Sequence, residues 1–229
     1  LLGGEPFYQH QLVQALDFFD QHPCPNLEFN IISNLMIAPD RFQKQLNKSK
    51  SLLSQKKLKR FDLTASIDCF GAEQEYVRFG LNLDVWKSNF EYVASQRWIT
   101  LHINQTFSGL TIKTAADMLQ WTLAFRSQKN IAHFFSTTVK TYDFLHPQIF
   151  GSGFFDKDFD AMYSVMGTQG WNNNSLQYLK GLQDLINACK RDQQKINQLG
   201  RFLDEMDRRR NTNWRTTFPW LTQEVDYVV

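Results

Sequence analysis

Apolar positions along this chain switch repeatedly between two spacings. From Tyr8 to Gln21 they recur at Leu12, Ala15, Leu16 and Phe19, which is helical spacing with one buried face. Pro23 and Pro25 end that run. Leu27 to Ser33 is a β-branched and aromatic stretch that predicts a strand stopping at Asn34. A second helix is expected from about Asp40, read as its N-cap, through Phe42, Leu46 and Leu53. Phe61 to Asp68 predicts the next strand. A loop with Gly71 and Gly80 follows, then a helix capped by Asp84 with Trp86, Phe90 and Val93 on one face. Trp98 to Asn104 predicts another strand, Thr114 caps a helix through Ala115, Met118, Leu119 and Thr122, and Ile131 to Val139 predicts a further strand.

Strands alternating with single helices are joined by right-handed crossovers and therefore lie parallel, which makes the chain α/β. Such a sheet either opens into a doubly wound fold or curls into a barrel. In both, ligands sit at the carboxyl ends of the strands. Those ends are polar here: Gly3-Gly4-Glu5 in the opening turn, then Ser33-Asn34, Ser66 with Asp68, and Asn104. Ser66 and Asp68 share a parity, as do His102 and Asn104. The set suits a small, polar, zwitterionic ligand, although Ser, Asp and Asn are also ordinary turn and cap residues. His102 alone reads as a satisfied strand histidine. After Val139 the pattern changes. Gly151-Ser152-Gly153 punctuates a loop, Phe159 to Met166 is a short amphipathic piece, and a long helix begins at Ser175 with a break near Asp192.

The 229 residues are 42% hydrophobic and 21% charged, so a substantial core is expected. A net charge of +2 does not argue for nucleic acid. No apolar run reaches the roughly 18–20 residues of a membrane span, and neither a membrane nor a nucleic-acid partner is expected. The lysines between Lys44 and Lys59 have no interleaved aromatics and read as a solvated helix face. Arg208-Arg209-Arg210 closes a helix, where cations suit the dipole. Cys24, Cys69 and Cys189 are too scattered for a disulfide framework or a local metal motif, and read as thiols in a reducing, cytoplasmic setting. The chain starts at Leu1 inside an element and reads as a piece of a longer protein.

Taken in order, the strand-end motifs resemble those of the radical S-adenosylmethionine enzymes. Gly3-Gly4-Glu5-Pro6 is similar to that family's glycine-glycine-glutamate-proline motif. Ile32-Ser33-Asn34 resembles its Thr-Asn-Gly strand ending, with Leu35 in place of the glycine. Ser66-Ile67-Asp68 resembles its Ser-Ile-Asp-Gly, with Cys69 in place of the glycine, and Glu75 to Gly80 resembles the Glu-x-Ile-Arg-x-Gly that follows. The tail from Leu203 to Leu221, with Asp207-Arg208, Asn213-Trp214 and Phe218-Pro219, looks like that of a subgroup with a twitch domain.

The resemblance implies an incomplete parallel (βα)6 barrel, TIM-like, over residues 1–140, followed by a mainly helical extension over 141–229. It implies S-adenosylmethionine and a 4Fe-4S cluster as cofactors, with the cluster's C-x3-C-x2-C ligands upstream of this chain, which alone would be inactive. Gly3, Gly4 and Glu5 would face the ligand's ammonium, and Arg78 and Ser66 its carboxylate. Asp68 or Asn104 would face the ribose, and Asn34 would complete the mouth. An electron donor and a substrate, a peptide or protein among the options, are the implied partners. No metal ligand or catalytic residue is assigned within the chain. The competing expectation is a degenerate barrel that binds a ligand or protein and does no chemistry.

Overall fold

The computed structural model describes residues 4–126, 131–137, 142–167, 171 and 173–226. In chain order these form α1 (His10–Gln21), β1 (Cys24–Ser33), α2 (Pro39–Ser54), β2 (Leu58–Ser66), α3 (Ala72–Val77), α4 (Leu83–Ser95) and β3 (Ile99–Phe107). They continue with α5 (Ala115–Arg126), β4 (Ala132–Thr137), α6 (Asp156–Gly167), α7 (Asn173–Asn187), α8 (Gln193–Arg210), α9 (Trp214–Thr217) and α10 (Pro219–Thr222). The strands make one four-stranded parallel sheet in the order β1-β2-β3-β4. The chain divides into two units, 1–67 with 81–104 and 125–134, and 68–80 with 105–124 and 135–229.

In the first unit the register alternates cleanly. Phe29, Phe61 and Ile99 lie in one row, Ile31, Leu63 and Leu101 in the next, and Ala65 beside Ile103. These side chains are buried and form the apolar face of the sheet. The rows between them are mixed but mainly polar: Glu28 beside Arg60, Asn30 beside Asp62, the exposed Ile32 beside Thr64 and His102, and Ser66 beside Asn104. Crossovers of one hand in sequential order place α2 and α4 on the same face. They supply Phe42, Leu46, Trp86, Phe90 and Val93, all buried. The Trp86 indole N–H donates to the Ser66 carbonyl at 3.2 Å, so α4 is also pinned to the end of β2. The lysine-rich stretch is held to acidic neighbours, Lys48 to Asp17, Lys57 to Asp20 and Lys59 to Glu28.

Several boundaries differ from expectation. α2 starts after Ala38, with Asp40 inside its first turn rather than capping it. α4 is capped by Asn82, whose side chain accepts from the Val85 N–H, and Asp84 lies inside its first turn. β2 ends at Ser66, so Asp68 stands two residues beyond the strand. α3 falls where a glycine-punctuated loop was expected. Residues 138–139 of the last expected strand lie outside the described residues.

In the second unit Asp192 caps α8 by accepting from the Lys195 N–H, which accounts for the expected break. The Asp207 carboxylate, on α8, accepts from the Tyr76 hydroxyl (2.8 Å), the Thr212 hydroxyl (2.6 Å) and the Trp214 N–H (2.7 Å). One side chain thereby joins α3, α8 and the tail. Burial, and then Asp207, push the Tyr76 hydroxyl's pKa up, so it stays a donor at neutral pH. The Lys113 ammonium lies 4.9, 5.5 and 5.1 Å from the ring centroids of Phe154, Phe155 and Trp220, and 3.4 Å from the Asp158 carboxylate.

That cage predicts a measurable stability term. Lys113→Met keeps the apolar stem and removes the charge, and should lower unfolding stability by about 1–2 kcal/mol, read by urea titration at neutral pH. A second prediction concerns His133, which is buried beside the Arg126 guanidinium at 3.3 Å. Burial, and then Arg126, hold its pKa well below 6.5. The folded chain keeps this ring neutral while the unfolded chain protonates it near pH 6.5, so stability falls as pH drops below that value. The slope from one such group is at most about 1.4 kcal/mol per pH unit. His133→Gln should flatten the loss between pH 7 and pH 5 in urea titrations.

Candidate functional site

The opening turn and the end of β1 meet through one carboxylate. Glu5 Oε1 accepts from the Ser33 hydroxyl at 2.7 Å and from the Phe7 N–H at 3.3 Å, and Oε2 accepts from the Asn34 N–H at 2.7 Å. A carboxylate has about four acceptor positions, so one remains on Oε2. Gly4 precedes it at φ 65°, a left-handed conformation that favours glycine. Ser33 Oγ in turn accepts from the Leu35 N–H and Asn34 Oδ1 from the Met36 N–H, both at 2.9 Å. The loop carbonyls of Leu35 and Ile37 accept from the Asn89 side chain of α4, at 2.8 and 2.9 Å. Glu5 and Asn34 are therefore joined through the Asn34 backbone N–H. Gly3 lies outside the described residues.

Ser66 and Asn104 are register partners near the carboxyl ends of β2 and β3. Among the described residues neither side chain hydrogen-bonds to another, which leaves a hydroxyl and a carboxamide available on the polar face. His102, one row back, differs from the satisfied histidine expected. Its Nδ1 is buried without a hydrogen-bond partner among the described residues, and its ring packs 5.3 Å from Phe134. Burial lowers its pKa, so the ring is neutral at pH 7.

In the second unit Asp68 is fixed at every polar atom. Its carboxylate accepts a fork from Arg78, Nε to Oδ2 at 2.7 Å and Nη2 to Oδ1 at 2.9 Å. Oδ1 also accepts from the Thr106 N–H at 3.1 Å. The backbone is held by two fully buried glutamines. Gln74 Oε1 accepts from the Asp68 and Cys69 N–H groups at 3.0 and 2.8 Å, and Gln105 Nε2 donates to the Asp68 carbonyl at 3.0 Å. Arg78 thus pairs with Asp68 and not with Glu73 or Glu75. Burial opposes the Arg78 charge, and Asp68 more than offsets it, holding the guanidinium above its ordinary pKa. Arg78 Nη1 is unclaimed among the described residues.

A cavity of about 250 Å³ opens beside this carboxylate. Asp68, Tyr76, Thr106, Ser108 and Thr111 form its polar wall. Val77, Leu110, Leu145 and the α8 residues Phe202, Leu203, Met206 and Arg210 form the rest. Gln74, Thr106 and Arg210 carry no strand-end signal in the sequence. Gln105 does: it occupies the buried parity of β3, between Ile103 and Phe107.

No protein-family model, curated protein or solved structure matches this chain.

Among the described residues no group of three or more His, Cys, Asp or Glu could hold a metal ion. Burial pushes the Cys69 thiol up, away from the thiolate that ligation needs. No helix among the described residues is long and apolar enough to cross a membrane.

The Glu5 knot gives a direct prediction. Glu5→Ala leaves the Ser33 hydroxyl and the Asn34 N–H without their acceptor and should cost about 1–3 kcal/mol in urea unfolding. Glu5→Gln keeps the shape and an oxygen acceptor, and should cost less than half as much.

Proposed function

We propose that the chain is the ligand-binding part of a radical S-adenosylmethionine enzyme, built on an incomplete (βα) barrel. The observation that carries this reading is the sequential parallel order β1-β2-β3-β4, with one apolar face and one that carries most of the polar residues. A doubly wound sheet reverses its strand order. Sequential winding with the crossover helices α2 and α4 on one side is the way a barrel begins, and its other face becomes the interior. The polar rows Thr64–His102 and Ser66–Asn104 suit such an interior.

Within the first unit, residues that the resemblance assigns to S-adenosylmethionine have groups to spare. Glu5 keeps one acceptor position for an ammonium. Ser66 and Asn104 have uncommitted hydrogen-bonding groups for the carboxylate and ribose. In the second unit, taken by itself, Arg78 Nη1 is free of other described residues and Asp68 holds the guanidinium, so Arg78 could grip a carboxylate, the role the resemblance gives it, without moving the fork. The cluster does not fit. None of the described residues forms a site for it, and no step is assigned to this chain through it. When bound in that family, the cofactor supplies a carbon radical for hydrogen abstraction. The share of this chain is to hold and orient it.

Calorimetric titration of S-adenosylmethionine into the 229-residue chain tests the reading. Saturable binding is expected, weakened roughly tenfold or more, about 1.4 kcal/mol, by Arg78→Lys and by Ser66→Ala. Arg78→Lys also loses the fork to Asp68 and should cost about 1 kcal/mol of stability. Absence of binding, or binding indifferent to both substitutions, would favour a barrel that serves another ligand.

A further inference from the structure

The cavity of the second unit has features that the S-adenosylmethionine reading does not use. Its far wall is apolar, made by Leu110, Leu145, Phe202, Leu203 and Met206. Its two charged lining residues are unequal. Asp68 is neutralised by the Arg78 fork at 2.7 and 2.9 Å. Arg210 has no carboxylate within ion-pair distance among the described residues. Its contacts are a 3.4 Å hydrogen bond from Nη1 to the Tyr76 carbonyl and the face of Phe79, 5.0 Å from the ring centroid. Asp207, the nearest carboxylate on the same helix, is already committed to Tyr76, Thr212 and Trp214. The neighbouring Arg208 and Arg209 are satisfied by Glu205. Of the three consecutive arginines, Arg210 alone lines the cavity, and it does so with no ion-pair partner among the described residues.

We infer that this cavity binds a small organic anion with an apolar body, its carboxylate on Arg210 and its body against Leu145, Phe202 and Met206. The size agrees. At about 30 Å³ for each displaced water, 250 Å³ accommodates on the order of eight to ten non-hydrogen atoms. A half-buried guanidinium offers a carboxylate two parallel donors. Ser108 and Thr111, joined by a 2.8 Å bond from the Ser108 N–H to Thr111 Oγ1, leave the polar wall ordered before a ligand arrives. The inference goes beyond the S-adenosylmethionine reading and stands without it.

Phenylacetate and 2-phenylethanol, nearly equal in size and different in charge, are the probes. Each is titrated into the chain and followed by ligand-observed NMR. Phenylacetate should bind roughly tenfold or more tightly than the alcohol, as expected for a charge-assisted contact. Arg210→Gln should bring phenylacetate down to the level of the alcohol and leave the alcohol unchanged. Met206→Trp, which fills the apolar end, should abolish both. Equal binding of the two probes, no binding of either, or phenylacetate affinity unchanged in Arg210→Gln would overturn the inference. If Arg210→Gln loses its near-UV circular dichroism, the comparison of the two probes on the unmodified chain decides. No S-adenosylmethionine enters these titrations, so their failure leaves that reading standing, and its failure leaves theirs.

Discussion

Parallel pairing cannot be closed by a hairpin, so every strand of this sheet must be followed by a crossover that leaves and returns on one side. That constraint organises the first unit. The crossovers are α2 and the segment carrying α4, and they demand one continuous apolar face on β1, β2 and β3. The face is met by Phe29, Ile31, Phe61, Leu63, Ala65, Ile99, Leu101 and Ile103, all buried. Once that face is committed to helices, the period of two sends every intervening side chain to the other face. The placement of Thr64, His102, Ser66 and Asn104 on that face, with Ile32 among them, is therefore a consequence of the packing.

The strand ends are then shaped by side chains that reach across chain segments. Glu5 joins the opening turn to β1, and Asn89 of α4 holds the next loop by two carbonyls. In the second unit Gln74 and Gln105 take both backbone polar groups of Asp68, leaving its carboxylate to Arg78 and Thr106. Such contacts restrict the few residues that a site needs to keep still. A buried glutamine serves this better than a charged group, since it satisfies a backbone N–H or carbonyl without the desolvation cost of an ion.

What was legible in the sequence follows the same division. Period-two runs of β-branched and aromatic residues located all four strands, because burial on one face writes itself into neighbouring positions. The helix starts were less legible. Asn82 and Asp84 are both good caps, and only the geometry of the preceding loop chooses between them. α3 was missed because six residues between glycines give too little periodicity. The partner of Arg78 was equally invisible: Glu73 and Glu75 are closer in sequence, but Asp68 is the carboxylate brought to it by the turn after β2. Gln74 looks like any solvated helix residue. Tyr76 and Arg210 come together only because α8 returns to α3, a contact 134 residues apart in sequence.

The two places where the chain departs from the pattern it resembles are physically different. Leu35 stands where that pattern has glycine, and its φ is 55°, in the left-handed region. The conformation costs a leucine roughly 1–2 kcal/mol. Leu35 is also fully buried, which contributes about 1.5–3 kcal/mol, so the substitution is tolerated because the side chain packs. Cys69 replaces the second glycine without that strain, since its φ is not among the positive ones. Its N–H is taken by Gln74 and its thiol is buried. A glycine at 69 would add only backbone freedom to a turn that already holds Asp68 at four atoms. The first departure is therefore carried by the core, and the second tightens the one residue, Asp68, that borders the cavity while anchoring Arg78.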